Sequence, residues 1–152
     1  MKKRIIALGL LWCLSAVMLQ AARVDTVLVR SAAMNKDVKV VYVLPDKAIG
    51  KQACPVVYLL HGYGGNARSW VQLKPELPQM ADEKGIIFVC PDGKNSWYWD
   101  SPENPAYRYE TFVTSELVKY TDGNYATIPD RKARAISGLS MGGHGALWSA
   151  IR

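Results

Sequence analysis

The stretch Ala133-Arg134-Ala135-Ile136-Ser137-Gly138-Leu139-Ser140-Met141-Gly142-Gly143-His144-Gly145-Ala146-Leu147 decides how the rest of the chain is read. Lys132 to Ser137 reads as a short covered strand, and Gly145 to Ile151 reads as a helix. Between them Gly138-Leu139-Ser140-Met141-Gly142 fits G-x-S-x-G, whose logic is steric. A serine at a strand-to-helix turn takes a strained backbone conformation, and a side chain two positions away on either side would collide. The helix start also aims backbone N–H groups and the positive end of its dipole at that serine. Ser140 is therefore the candidate nucleophile, with Gly138 and Gly142 as its elbow glycines. A nucleotide-binding turn fits poorly: G-x-G-x-x-G, Gly-Lys-Ser and Gly-Lys-Thr are absent, and no acidic residue follows at the ribose distance.

A second motif, His61-Gly62-Tyr63-Gly64-Gly65, follows the apolar run Val56-Val57-Tyr58-Leu59-Leu60. A run without alternation is the mark of a strand covered on both faces. In acyl transfer the carbonyl oxygen gains negative charge as a serine attacks, and each preformed backbone donor at that oxygen stabilises the transition state by ~3–4 kcal/mol. Gly62, Gly64 and Gly65 let the main chain approach that closely. The expected donors are the N–H groups of Tyr63 and Met141, with Gly64 as second choice to Tyr63.

Upstream, Val24 to Arg30 and Val38 to Leu44 alternate apolar with polar residues around the turn-like Met34-Asn35-Lys36-Asp37, which predicts a hairpin. Ser69 to Lys84 has helical spacing interrupted by Pro75 and Pro78, and Gly85 closes it before Ile86 to Cys90, another continuous apolar run. Tyr107 to Tyr120 reads as a further helix. Strands alternating with helices predict an α/β fold. Trp97, Tyr98 and Trp99 then fall at the carboxyl edge of a parallel sheet, where ligands bind, and are candidate substrate contacts. Packing anchors are the competing role for these rings. Asp100 is a candidate pocket residue, although Asp92 and Asp100 are more simply turn residues.

The chain of 152 residues, 49% apolar, is sized for one domain with a real core. Lys2, Lys3 and Arg4 precede an apolar run from Ile5 to Leu19 that ends in Gln20-Ala21-Ala22, the pattern of a cleaved secretory signal over residues 1–22. The run is shorter than the roughly 20 residues of a spanning helix. The expectation is thus a secreted or periplasmic protein with no membrane attachment after cleavage. Removing three cations changes the charge from 19 − 13 = +6 to 16 − 13 = +3, so no nucleic-acid partner is implied. Cys54 begins one strand and Cys90 ends another. In parallel neighbours their sulfurs lie at opposite ends, which predicts two free thiols.

Together Leu60-His61-Gly62-Tyr63-Gly64-Gly65, Ser96-Trp97-Tyr98-Trp99-Asp100-Ser101-Pro102, Tyr109-Glu110-Thr111-Phe112 with Glu116-Leu117, and Gly138 to Ala146 resemble the "putative esterase" family. That family groups S-formylglutathione hydrolase with feruloyl and acetylxylan esterases and mycolyltransferases. The resemblance implies an α/β-hydrolase fold over residues 23–152, a Ser-Asp-His triad, and chemistry without cofactor or metal. It implies a small-molecule or carbohydrate ester as substrate, and export favours acetyl or feruloyl esters of carbohydrate. Acyl transfer to a sugar hydroxyl and a non-catalytic binding protein are the alternatives.

The order of the triad in this fold is serine, acid, histidine. Only His61 and His144 occur, the first before Ser140 and the second on the elbow helix, and no acid follows Ser140. The last helix reaches Arg152 without a stop signal. The sequence therefore reads as the part of an α/β-hydrolase up to its nucleophile elbow, expected to be a weak catalyst by itself.

Overall fold

Two runs of alternating residues form the expected hairpin: β1 (Arg23–Ser31) and β2 (Lys36–Leu44) pair antiparallel from Arg23↔Leu44 to Ser31↔Lys36. The turn lies slightly earlier than the composition suggests, with Asn35 at φ +50° and its amide donating to Ala32 O at 3.2 Å. The structure, a computed structural model, describes residues 22–152. The leader expected over residues 1–22 lies outside the described residues except for Ala22, which is buried and donates its amide to Asp82.

The apolar runs become β3 (Val56–Leu60), β4 (Ile87–Pro91) and β5 (Arg134–Gly138), giving a sheet of order β1-β2-β4-β3-β5. β2 meets β4 antiparallel, whereas β3 lies parallel to both β4 and β5. After the short α1 (Asp46–Ile49) and β3 come α2 (Ser69–Leu73) and α3 (Leu77–Lys84). Pro75 falls in the break between them. Pro78 sits in the first turn of α3, where a missing N–H costs no hydrogen bond. Gly85 ends α3 at φ +63°, the left-handed cap that glycine accepts without strain.

The single helix expected over Tyr107 to Tyr120 is instead α4 (Tyr109–Thr111), a π-helical segment (Phe112–Glu116) and α5 (Leu117–Asn124). Phe112, Val113 and Leu117 of this run are buried. The chain ends in α6 (Met141–Ala150).

Side-chain alternation sorts the sheet's neighbours into two layers. Val40, Tyr42, Leu44, Tyr58, Leu60 and Val89 join Phe112, Leu117, Met141 and Ala146 in one cluster, while Val41, Val43, Leu59, Phe88 and Cys90 join Leu77 and Ala81 in the other. α2 and α3 thus cover one face, and α4, α5 and α6 the other. The reason is the handedness of parallel crossovers. The chain steps from β3 to β4 in one direction and from β4 back across β3 to β5 in the opposite one, so the two crossovers fall on opposite faces. β3 and β5 are neighbours whose outgoing segments leave to opposite sides, which opens a crevice at their carboxyl ends.

β5 departs from expectation. It was expected to be covered on both faces, but its residues alternate between intermediate and exposed, because it is the edge of the described sheet and has β3 as its one strand partner.

Cys54 and Cys90 are both buried and free. Burial pushes the Cys90 thiol up to about 12 and raises Cys54 as well. Neither thiol should react readily with iodoacetamide in the native protein near neutral pH, and both should react after denaturation without prior reduction. Mass spectrometry of the two digests checks this.

Candidate active site

At the carboxyl end of β5 the chain must reverse into α6 within a few residues, and Ser140 is the residue that turns it. Its φ of +54° and ψ of −116° lie outside the regions open to ordinary L-residues, a strain of roughly 1–3 kcal/mol. Main-chain crowding leaves no alternative path. A methyl on Gly138 would stand 2.2 Å from the Gly142 carbonyl, and one on Gly142 would stand 2.2 Å from Leu60 O and 2.7 Å from His61 O. Ser140 itself is exposed, and its hydroxyl has no hydrogen-bond partner among the described residues.

The same crowding brings the loop after β3 against the elbow. A methyl on Gly62 would lie 3.3 Å from Leu139 O and 3.6 Å from Ser140 Cβ. The register pairs Leu60 with Gly138, and the Leu139 amide donates to Leu60 O at 3.2 Å. The amides of Tyr63 and Met141 find no acceptor among the described residues. Met141 opens α6, so its N–H is one that a helix leaves unpaired. The Gly64 amide, the second choice from sequence, is not free: it donates to Asn95 Oδ1 at 2.8 Å. Gly65 closes the loop with its amide on Gly62 O at 3.0 Å, and a methyl on it would meet Ser69 Oγ at 2.8 Å.

Neither histidine faces the Ser140 hydroxyl as a base. His61 is 2% exposed and both its ring nitrogens are engaged. Nδ1 is 2.7 Å from Gly62 O, an acceptor, and Nε2 receives the Gly93 N–H at 2.9 Å, a donor. Only the neutral ring protonated at Nδ1 satisfies both. Asp92 Oδ1 lies 3.6 Å from Nε2, beyond hydrogen-bonding reach. Burial alone would push the Asp92 carboxyl up, but the His61 ring beside it and Lys94, through its ammonium at 2.8 Å and its amide at 3.0 Å, together outweigh it and hold the group below the usual carboxylate range. His144 projects from α6 and places Nδ1 3.1 Å from Trp97 O, with its ring edge-on to the Trp97 indole.

The aromatic loop is divided between inside and outside. Trp97 and Tyr98 both take φ +57°, a conformation rare for large side chains. Tyr98 corrects the expectation of a substrate contact. It is 0% exposed, its hydroxyl accepts the His61 amide at 3.0 Å, and its ring fills the space that Gly93 and Gly145 leave by having no Cβ. Trp97 and Trp99 remain 46% and 48% exposed. Asp100 also differs from expectation. Its two oxygens accept the Thr111 amide at 3.0 Å and hydroxyl at 2.5 Å, so it fastens the start of the α4 run rather than offering a free carboxylate. Asn95, which holds the Gly64 amide, carries no motif, and a polar residue in the loop after β4 is too common to mark a site.

The family described as "Putative esterase" matches residues 31–152. An acetyl esterase of Caldicellulosiruptor saccharolyticus is 28% identical over 130 residues, which cover 80% of this chain and 48% of that protein. An S-formylglutathione hydrolase of Agrobacterium tumefaciens superposes with a TM-score of 0.76 at 29% identity, over 86% of this chain and 53% of that one. A ferulic acid esterase superposes with a TM-score of 0.71 at 30% identity, over 83% and 53%. The chain spans about half the length of the curated relatives it matches. These neighbours place the mixed sheet in the α/β-hydrolase fold.

Gly142→Ala should lower the melting temperature strongly, because a methyl 2.2 Å from a strand carbonyl forces main chain apart and overpacking costs about 1–3 kcal/mol or more. Gly64→Ser, placed where a Cβ meets nothing, should lose only the smaller cost of an L-residue at φ +76°. Thermal denaturation separates the two. The folded-state value of Asp92 is depressed, so its contribution to stability is full above about pH 4 and lost as pH falls below that range. Asp92→Asn should therefore flatten the acid limb of stability, measured by urea titration from about pH 6 to pH 2.

Proposed function

The chain belongs to the esterase family, and from that premise we propose that it is the nucleophile-bearing part of a serine carboxylic ester hydrolase. Ser140 Oγ attacks the ester carbonyl and forms an acyl-enzyme, the alcohol departs, and water then releases the acid. The N–H groups of Tyr63 and Met141 are the donors to the oxygen that becomes negative. The observation that carries the reading is the exposed Ser140 at φ +54°, set on the amino end of α6 and against the glycine loop after β3. A strained, solvent-facing serine at the amino end of a helix has no use in packing.

The proton of Ser140 must leave as the bond to carbon forms. His61 has both nitrogens committed and His144 is turned to Trp97, so under this reading the base and its orienting acid belong to the remaining length that the relatives possess. The substrate proposed is an acetyl or feruloyl ester of carbohydrate. Trp97 and Trp99 support it, as exposed rings at the sheet edge that bears Ser140, and a face of indole suits a planar acyl group or a sugar ring. The basic and apolar start of the chain supports an exported protein.

In the full-length protein, Ser140→Ala should abolish both fluorophosphonate labelling and hydrolysis of 4-nitrophenyl acetate. Retained labelling at another residue would overturn the assignment. Trp97→Ala should raise KM for a feruloyl ester by about tenfold, the worth of one stacked ring, while changing hydrolysis of the acetate little. Parallel steady-state kinetics on the two esters makes the comparison.

A further inference from the structure

We propose that His144 is a positioning residue for substrate selection: it fixes the exposed indole of Trp97 beside the Ser140 turn, so that the ring stands ready for a planar acyl group or a sugar ring. The proposal rests on the reading of Trp97 as a substrate contact given above.

Ser140 and His144 lie one turn apart at the start of α6, and the His144 amide donates to Ser140 O at 3.0 Å. Side chains of a helix lean toward its amino end, which on α6 is the end that Ser140 caps. A ring held by His144 is therefore held near the nucleophile. That ring is Trp97, with 5.5 Å between the ring centroids and 85° between the planes.

Two contacts restrain different freedoms of Trp97. His144 Nδ1 lies 3.1 Å from Trp97 O. A carbonyl oxygen can only accept, so Nδ1 carries the proton and donates it. This bond holds the peptide between Trp97 and Tyr98, and with it ψ of Trp97 and φ of Tyr98. Both residues sit at φ +57°, a region that large side chains rarely enter, so the backbone here needs an external hold. The ring contact acts on the side-chain torsions instead, because imidazole and indole meet edge to face, an arrangement that aromatic quadrupoles favour. One residue thus restrains both the main chain and the ring of Trp97.

The neighbours of His144 seat it in turn. Its ring lies 6.2 Å from that of Trp148 at 14° between planes, and Trp148 Nε1 donates to Glu110 Oε2 at 2.7 Å. One position along the helix, a methyl on Gly145 would stand 2.5 Å from Tyr98 Cβ. Consecutive residues of α6 therefore receive consecutive residues of the loop, Gly145 admitting Tyr98 to the interior and His144 bracing Trp97 outside it. Trp97 is braced and still 46% exposed, which leaves ring surface for a ligand. A ring fixed before binding loses less freedom when a ligand stacks on it.

The test uses the full-length protein labelled with 5-fluorotryptophan. The Trp97 fluorine signal, identified by its loss in Trp97→Phe, should shift and narrow in His144→Ala as the indole is released. An unmoved signal would overturn the proposal. Steady-state kinetics reads the consequence. His144→Ala should lower the ratio of kcat/KM for a feruloyl ester to that for 4-nitrophenyl acetate by about three- to tenfold, through KM for the feruloyl ester. Placed on top of Trp97→Ala, the same change should lower that ratio no further, because a residue acting through Trp97 then has nothing to position. Additive losses would overturn the proposal. If Trp97→Ala alone leaves the ratio unchanged, the reading of Trp97 as a substrate contact fails instead, and the fluorine signal still decides whether His144 holds the ring.

Discussion

The site depends on one contact between two pieces of main chain. Gly142, in the first turn of α6, lies against the carbonyls of Leu60 and His61 at the end of β3, with no room for a side-chain carbon. That contact draws the helix start onto the strand end, and the two elements then share a crevice. It compresses the chain between β5 and α6 until Gly138 touches Gly142, and the residue at the apex takes the strain as φ +54°. Ser140 is thrust out of the surface for the same reason that its flanks are glycine. The free amide of Met141 and the glycine loop after β3 are brought to it by the same approach, so position, exposure and donors share one cause.

Much of this was legible because steric necessity leaves a mark on residue type. Glycine at 138 and 142 around a serine, after an apolar run, is a local pattern that records a non-local collision. The continuous apolar runs of β3 and β4 recorded burial on two faces, and alternation recorded the hairpin. β5 misled, since Ala135 and Ile136 read as covered while an edge position exposes alternate residues. Coverage of a strand depends on which strands flank it, and the residues of the strand do not carry that information.

The aromatic loop was harder to read for a different reason. Trp97, Tyr98 and Trp99 are chemically alike and adjacent, but two successive left-handed residues turn the middle ring inward and leave its neighbours outside. Tyr98 is matched to glycines at 93 and 145, far apart in sequence, and its hydroxyl to an amide at 61. No periodicity links these positions. The ring pays for the distorted backbone with burial and a satisfied hydroxyl, and Trp97 is displayed as a result.

His61 shows how a histidine beside the serine turn is held in a structural role. Its Nδ1–H is spent on Gly62 O and its Nε2 lone pair on the Gly93 amide, so adding a proton at Nε2 would set two N–H groups against each other. The ring is a strut joining the loops after β3 and β4. Under the proposed reading of Ser140, the base that takes its proton is therefore not His61.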